Sequence, residues 1–218
     1  MDLKNIKARF NDNLVKWKPI PFWSWNDKLD PHELCRQIDW MHKNEIGGFF
    51  MHARGGLQTE YLSDEWFDNI KASIDKSKEN GMYAWGYDEN GWPSGFGSGA
   101  VNGLGLKYQQ KYLRCEKVDV AKNNEYTIAN ITIDGQIYHM YYDVNPFYVD
   151  TLDKEVIAEF IKSTYDKYTE RFGYGAGGMT GFFTDEPQIS RKGIPWSFIL
   201  PDEFKKKYGK YREEFEKY

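Results

Sequence analysis

The sequence predicts an α/β chain of the (β/α) TIM-barrel type, incomplete at about four or five strands, with a small antiparallel β insertion. Three observations carry this. Runs of β-forming residues alternate with amphipathic helical stripes at about 30 residues per unit, the spacing of parallel strands joined by crossover helices. No GxGxxG or GxxxxGK[ST] follows the first strand, so the dinucleotide and P-loop variants of an α/β sheet lose their main support. Two of the strands run into an acidic pair that a proline soon follows, "YDENGWPSG" (87–95) and "FFTDEP" (182–187), and carboxyl ends of parallel strands are where such folds carry their sites.

Taken in order, "PIPFWSW" (19–25) reads as the first strand. Asp30 then caps a helix with Pro31 at its first position and Glu33 three residues after the cap, a capping-box arrangement, and Leu34, Ile38 and Met41 form its apolar stripe. "IGGFFMHARGG" (46–56) is the second strand. Ser63 caps the second helix, Asp64 and Glu65 favour its positive end, Phe67, Ile70 and Ile74 share one face, and Gly81 ends it. "MYAWGYDENGW" (82–92) is the third strand, and the glycine-rich stretch after it reads as a loop. Between about 113 and 150, β-formers punctuated by Asn123-Asn124 and Asp134-Gly135 predict the antiparallel insertion. "NPFYVDTL" (145–152) offers a possible fifth barrel strand. Asp153 starts a helix that carries Ile157, Phe160, Ile161, Tyr168 and Phe172 and stops at Gly173. "GMTGFFTDEP" (178–187) is a further strand, and a helical tail follows at about 201–218. The expected organisation is a single barrel-like domain over 1–218, short of the eight strands and about 250 residues of a closed barrel.

Bulk composition narrows the chemistry. A net charge of −4 with no basic block argues against nucleic acid; Lys205-Lys206-Lys207 reads as a solvated helix face. Cys35 and Cys115 have no CxxC spacing, which removes a disulfide framework and a zinc site. "MDLKNIKARF" lacks a signal-peptide core and no stretch spans a membrane, so a cytoplasmic location is expected. Aromatic residues make up 17% of the chain, many beside polar ones, a pattern found both in aromatic cores and where rings stack on sugar faces.

Alternation along each strand then selects side chains. Phe50, His52 and Arg54 share one face of the second strand, Trp85, Tyr87 and Glu89 one face of the third, and Thr180, Phe182, Thr184 and Glu186 one face of the last. Assigned to a common mouth, Glu89 and Glu186 converge with His52 and Arg54, while Asp88 and Asp185 fall on the opposite faces. Paired carboxylates at strand ends are what glycoside hydrolysis uses, one as acid and the other as base or nucleophile. The same four carboxylates are also hard ligands for Ca²⁺ or Mg²⁺, though without EF-hand spacing, so a metal site stays unassigned. Trp23 and Trp25 read as core or as a stacking platform, Trp92 beside the acidic pair as a platform, and His52 as a core histidine or a sugar ligand.

"PFWSWND", "GGFFMHARGGLQTEYLS", "YDENGWPSG" and "GFFTDEP" resemble, in this order, the catalytic-barrel motifs of the α-L-rhamnosidase-like proteins of glycoside hydrolase family 106, over about residues 19–200. The resemblance implies a (β/α)₈ catalytic domain, removal of terminal rhamnose from plant-type glycans with inversion, and calcium dependence. It also implies roles: Glu186 as general acid and Glu89 as its partner or a substrate ligand, Asp185 and Asp88 as further acidic groups, and "MHAR" as a source of groups for sugar hydroxyls. Members of that family are several times longer, so this chain is expected to hold only the N-terminal part of the barrel. The expected function is therefore a glycosidase cleaving terminal deoxy-sugars from glycans. The alternatives are a non-catalytic carbohydrate-binding remnant, or a part-barrel that assembles with another copy or a missing half.

Overall fold

The computed structural model describes residues 3–11, 14–173, 178–190 and 192–215. In chain order the elements are α1 (Leu3–Asn11), β1 (Phe22–Trp25), α2 (Pro31–Lys43), β2 (Gly48–Ala53), α3 (Asp64–Glu79) and β3 (Tyr83–Asn90). There follow β4 (Gln109–Val118), β5 (Thr127–Ile133), β6 (Gln136–Val149), α4 (Lys154–Ser163), α5 (Tyr165–Phe172), β7 (Gly181–Phe183), β8 (Ile194–Trp196) and α6 (Leu200–Phe215). They fall into two compact units, Met1–Ser98 with Ile161–Glu186 and Gly99–Phe160 with Pro187–Tyr218.

The first unit is built on a parallel sheet in the order β1-β2-β3-β7. Its helices begin where the sequence marks them. Asp30 accepts the His32 N–H at 3.0 Å, and Ser63 Oγ accepts the Trp66 N–H at 3.2 Å, each satisfying a donor that the first turn leaves open. Glu33 does not close the expected capping box: its carboxylate takes Arg36 and Gln37 instead, which holds it down at a pKa of about 2. Leu34, Ile38 and Met41 of α2 and Phe67, Ile70 and Ile74 of α3 are buried with Trp25, Phe49, Met51 and Ala84 in one core. Close approach is enforced at two glycines: a Cβ on Gly48 would stand 2.3 Å from the Tyr83 carbonyl oxygen, and one on Gly86 would stand 2.7 Å from the Phe182 ring.

The second unit holds an antiparallel sheet in the order β5-β6-β4-β8. Asp134 (φ +50°) and Gly135 (φ +77°) make the tight turn between β5 and β6, since a two-residue hairpin loop needs positive φ at both positions. Lys111 is wholly buried, its ammonium donating to the carbonyls of Lys107 (3.1 Å) and Gln109 (2.6 Å) and to Asp150 Oδ2 (3.3 Å).

Several expectations change here. The fold is mixed α/β with an open parallel sheet, not a closed barrel. "NPFYVDTL" gives no fifth parallel strand, because its first residues complete β6 against β4. The antiparallel elements start at Gln109, before the expected boundary, and recruit "IPW" as β8, which had read as loop. The helix predicted from Asp153 is two helices, broken at Thr164 (φ −121°, ψ −72°). α1 was not foreseen, α6 is the expected tail, and residues 216–218 of that tail lie outside the described residues. Among the described residues no helix is long and apolar enough to cross a membrane.

Candidate functional site

Parallel pairing fixes which side chains meet. Phe22 pairs with Phe50, Phe50 with Trp85, Trp85 with Gly181 and Tyr87 with Phe183, and residues paired across strands stand on the same face. One face of the sheet therefore carries Phe22, Phe50, His52, Trp85, Tyr87 and Phe183. The rings of Phe22 and Phe183 lie 5.0 Å apart, those of Phe22 and Phe50 5.1 Å, and His52 stacks on Tyr87 at 3.5 Å. Trp23 and Trp25 alternate onto the other face. Trp25 is buried against Trp66, and Trp23 packs on Trp25 and Phe49 while its indole N–H donates to Gln37 at 2.9 Å.

At the carboxyl ends of β1, β2 and β7 lies a cavity of about 270 Å³, lined by Phe22, Ser24, His52, Arg54, Trp92 and Asp185. Phe22 and Ser24 escaped the sequence reading. Their signal was the alternation already used for the other strands: in "FWSW" one face is Trp23 and Trp25, the other Phe22 and Ser24. The size is just under the roughly 300–1,000 Å³ of sites for drug-sized ligands.

The carboxylate at this cavity is Asp185, where the sequence placed Glu186. The assignment of faces on the last strand was inverted. Because Trp85 pairs with Gly181 and Tyr87 with Phe183, the face shared with His52 continues through Gly181 and Phe183 to Asp185. A register one residue different would have presented the other set. Phe182 instead packs on Tyr165 and Tyr168 of α5. Glu186 stands exposed, at φ +45°, outside the cavity lining. Tyr87 Oη donates to Asp185 Oδ2 at 2.9 Å. Burial, then this hydrogen bond, carries the Tyr87 hydroxyl far above its ordinary value, so it stays a neutral donor.

His52 is buried, and its Nε2–H donates to the Gly91 carbonyl at 2.9 Å, which leaves Nδ1 as an acceptor. Burial lowers its pKa, and the nearby Arg54 cation works in the same direction against the pull of Asp185 and the Gly91 carbonyl. The cavity thus presents a neutral imidazole, an exposed guanidinium, a carboxylate oriented by a tyrosine, and two aromatic surfaces.

The acidic pair that drew attention in the sequence is elsewhere engaged. Between β2 and β3 the register runs Met51 to Gly86 and then Ala53 to Asn90, so β3 spends four residues where β2 spends two. Two extra residues leave the alternation in phase, so it is not register that separates Glu89 from His52 and Arg54 but the loop after it, whose N–H groups take its carboxylate. Glu89 is fully buried. Its Oε1 accepts the Asn90 N–H at 2.7 Å, and its Oε2 accepts those of Gly95, Phe96 and Gly97 at 3.0, 2.8 and 2.7 Å. Burial pushes its pKa up, and these four donors pull it part of the way back. Asp88, also buried, accepts from Ser94 Oγ (2.5 Å), Tyr165 Oη (2.5 Å) and Thr184 Oγ1 (2.7 Å).

These positions do not fit calcium. Among the described residues no three His, Cys, Asp or Glu side chains gather to hold a metal ion. Asp88 and Glu89 already take N–H and O–H donors on their oxygens, where a hard cation needs six to eight open oxygen ligands.

No family model and no curated protein matches the sequence. Among solved structures, a rhamnosidase from Novosphingobium sp. PP1Y is similar over 57% of this chain, with 18% identity and a TM-score of 0.41. The matched part is 12% of that enzyme, so this chain spans a small fraction of its length.

Proposed function

We propose that the cavity at the ends of β1, β2 and β7 is a sugar-binding subsite of the glycoside hydrolase type, and that its ligand is a terminal deoxy-sugar such as an α-L-rhamnoside. The supporting observation is the lining itself. Aromatic surfaces from Phe22 and Trp92 flank a carboxylate, an imidazole acceptor and a guanidinium, the mixture that covers sugar C–H faces and pairs with sugar hydroxyls. The motifs that resemble family 106 supply these residues: "PFWSWND" gives Phe22 and Ser24, "MHAR" gives His52 and Arg54, "YDENGWPSG" gives Trp92 and "TDEP" gives Asp185. On this reading the open sheet is part of a (β/α) barrel. Among the described residues no strand pairs with the outer edges of β1 and β7, on which further strands, from a second copy or another chain, would add.

Asp185 is the acid–base candidate in this reading. Tyr87 fixes one of its oxygens and leaves the other for a glycosidic or hydroxyl oxygen. Hydrolysis with paired carboxylates needs a second group at the same cavity. Asp88 and Glu89 are committed to other donors, which favours sugar binding over turnover for this chain by itself. The test is calorimetric titration with L-rhamnose, with D-glucose and D-galactose as controls, on the parent chain, R54A and D185N, alongside hydrolysis of an aryl α-L-rhamnoside. Saturable L-rhamnose binding weakened by both substitutions is expected. Absence of binding to all three sugars by folded protein would remove the assignment.

A further inference from the structure

Glu89 and Asp88 stood among the catalytic candidates of the sequence, yet every described contact they make runs to the loop that follows them or to the scaffold. Residues 91–97 are tied along their length. The Gly91 carbonyl accepts His52 Nε2–H, and Ser94 donates through its N–H to the Asp185 carbonyl (2.9 Å) and through Oγ to Asp88. Ser94 Oγ in turn accepts the Asp185 N–H at 2.8 Å, and Gly95, Phe96 and Gly97 give their N–H groups to Glu89. Trp92 and Pro93 lie between the tie at 91 and the tie at 94, and Trp92 forms one wall of the cavity although nearly half of it is exposed. The path of the loop between these two ties carries the ring to that wall. That path is demanding: Gly91, Gly95 and Gly97 all have positive φ, at +126°, +121° and +54°. Three successive N–H groups turned onto one oxygen are an anion nest, the arrangement that elsewhere holds a bound anion. Here the chain's own carboxylate fills it.

We propose that Glu89 is a positioning residue: by filling the nest at Gly95–Gly97 it locks the loop 91–97 and so fixes Trp92 as one wall of the sugar cavity. Asp88 serves the same loop through Ser94. This rests on the sugar-binding reading of the cavity and adds how its affinity is set. Glu89 acts through Trp92, so the two residues are coupled, and the coupling is the readout that a merely structural carboxylate would not give.

The experiment uses the full chain and L-rhamnose as probe, with E89A, W92A and the double variant in a calorimetric cycle. Amide hydrogen exchange of residues 90–97 is followed against that of α3. W92A is expected to weaken binding about tenfold, the equivalent of one lost aromatic stacking contact. E89A should weaken it to a similar degree, speed exchange at 95–97 and leave α3 protected. E89A added to W92A should cost no further affinity. If E89A does not fold, E89Q replaces it, because the amide keeps one oxygen for the nest and removes the charge and one acceptor. Losses that add in the double variant, or unchanged affinity in E89A with the parent binding sugar, overturn the latch alone. A parent chain that binds no sugar overturns both the latch and the sugar-binding reading, so the two failures are distinguishable.

Discussion

The two units bury charge in opposite ways. In the first, Glu89 is sealed among neutral donors, four backbone N–H groups supplied within eight residues of itself. In the second, Lys111 is sealed with an opposite charge, Asp150, two carbonyls of its own strand region, and the Phe198 ring 4.5 Å from its ammonium. A carboxylate satisfied by nearby backbone shapes that backbone, and its contribution is spent on the course of one loop. A cation satisfied by a residue 39 positions away joins distant chain, and its loss leaves a charge behind. The contrast explains why Asp88 and Glu89 look like chemistry in the sequence and behave as architecture in the fold.

The largest expected effect comes from breaking the ion pair. K111A leaves Asp150 buried without its cation and should destabilise the second unit by about 3–5 kcal/mol, while K111M with D150N together should recover most of that loss. Denaturant unfolding followed by exchange of the β4 and β6 amides reads both. A double variant as unstable as K111A would show that the pair does not balance itself.

E89Q is the matched change in the first unit and should cost less, about 1–2 kcal/mol, because the amide keeps an oxygen for the nest and loses only the charge and one acceptor. The comparison weakens if E89Q proves as damaging as K111A. D88N should cost about 1 kcal/mol or less, since its donors are hydroxyls from Ser94, Tyr165 and Thr184 that rotate to suit an amide, whereas backbone N–H groups do not.

The smallest effect is a protonation. The pKa of His52 is lowered below its ordinary 6.5 by burial. Between those two values the unfolded chain binds a proton that the folded chain refuses. Stability should therefore fall as the pH drops from the ordinary value toward the folded one, and should level off below it. Ring resonances of His52 followed by NMR should titrate with a midpoint under 6.5; a midpoint at or above it would mean that Asp185 and the Gly91 carbonyl outweigh burial.

Much of this protein was fixed by local sequence. The caps at Asp30 and Ser63, the stripes on α2 and α3, the Asp134-Gly135 turn and the parallel strands through Phe22, Phe50 and Trp85 all follow from periods of 3.6 and 2 and from turn chemistry acting within a few residues. His52, Arg54 and Trp92 were among the candidates picked out from the sequence, and the structure brings them to one cavity with Asp185.

What tertiary structure decided was which acid stands there. The face of the last strand depended on Trp85 pairing with Gly181, and the fate of Glu89 on the N–H groups that the following loop turns onto it. The first is a matter of register between strands far apart in the chain. A one-residue change of register exchanges the two faces of a strand while leaving its hydrophobic alternation unchanged, so no local pattern reveals it. The closing of Gly95–Gly97 over Glu89 was hidden for a similar reason: a carboxylate beside glycines reads alike whether it meets solvent, a sugar or its own backbone, and only the folded path of the loop distinguishes them.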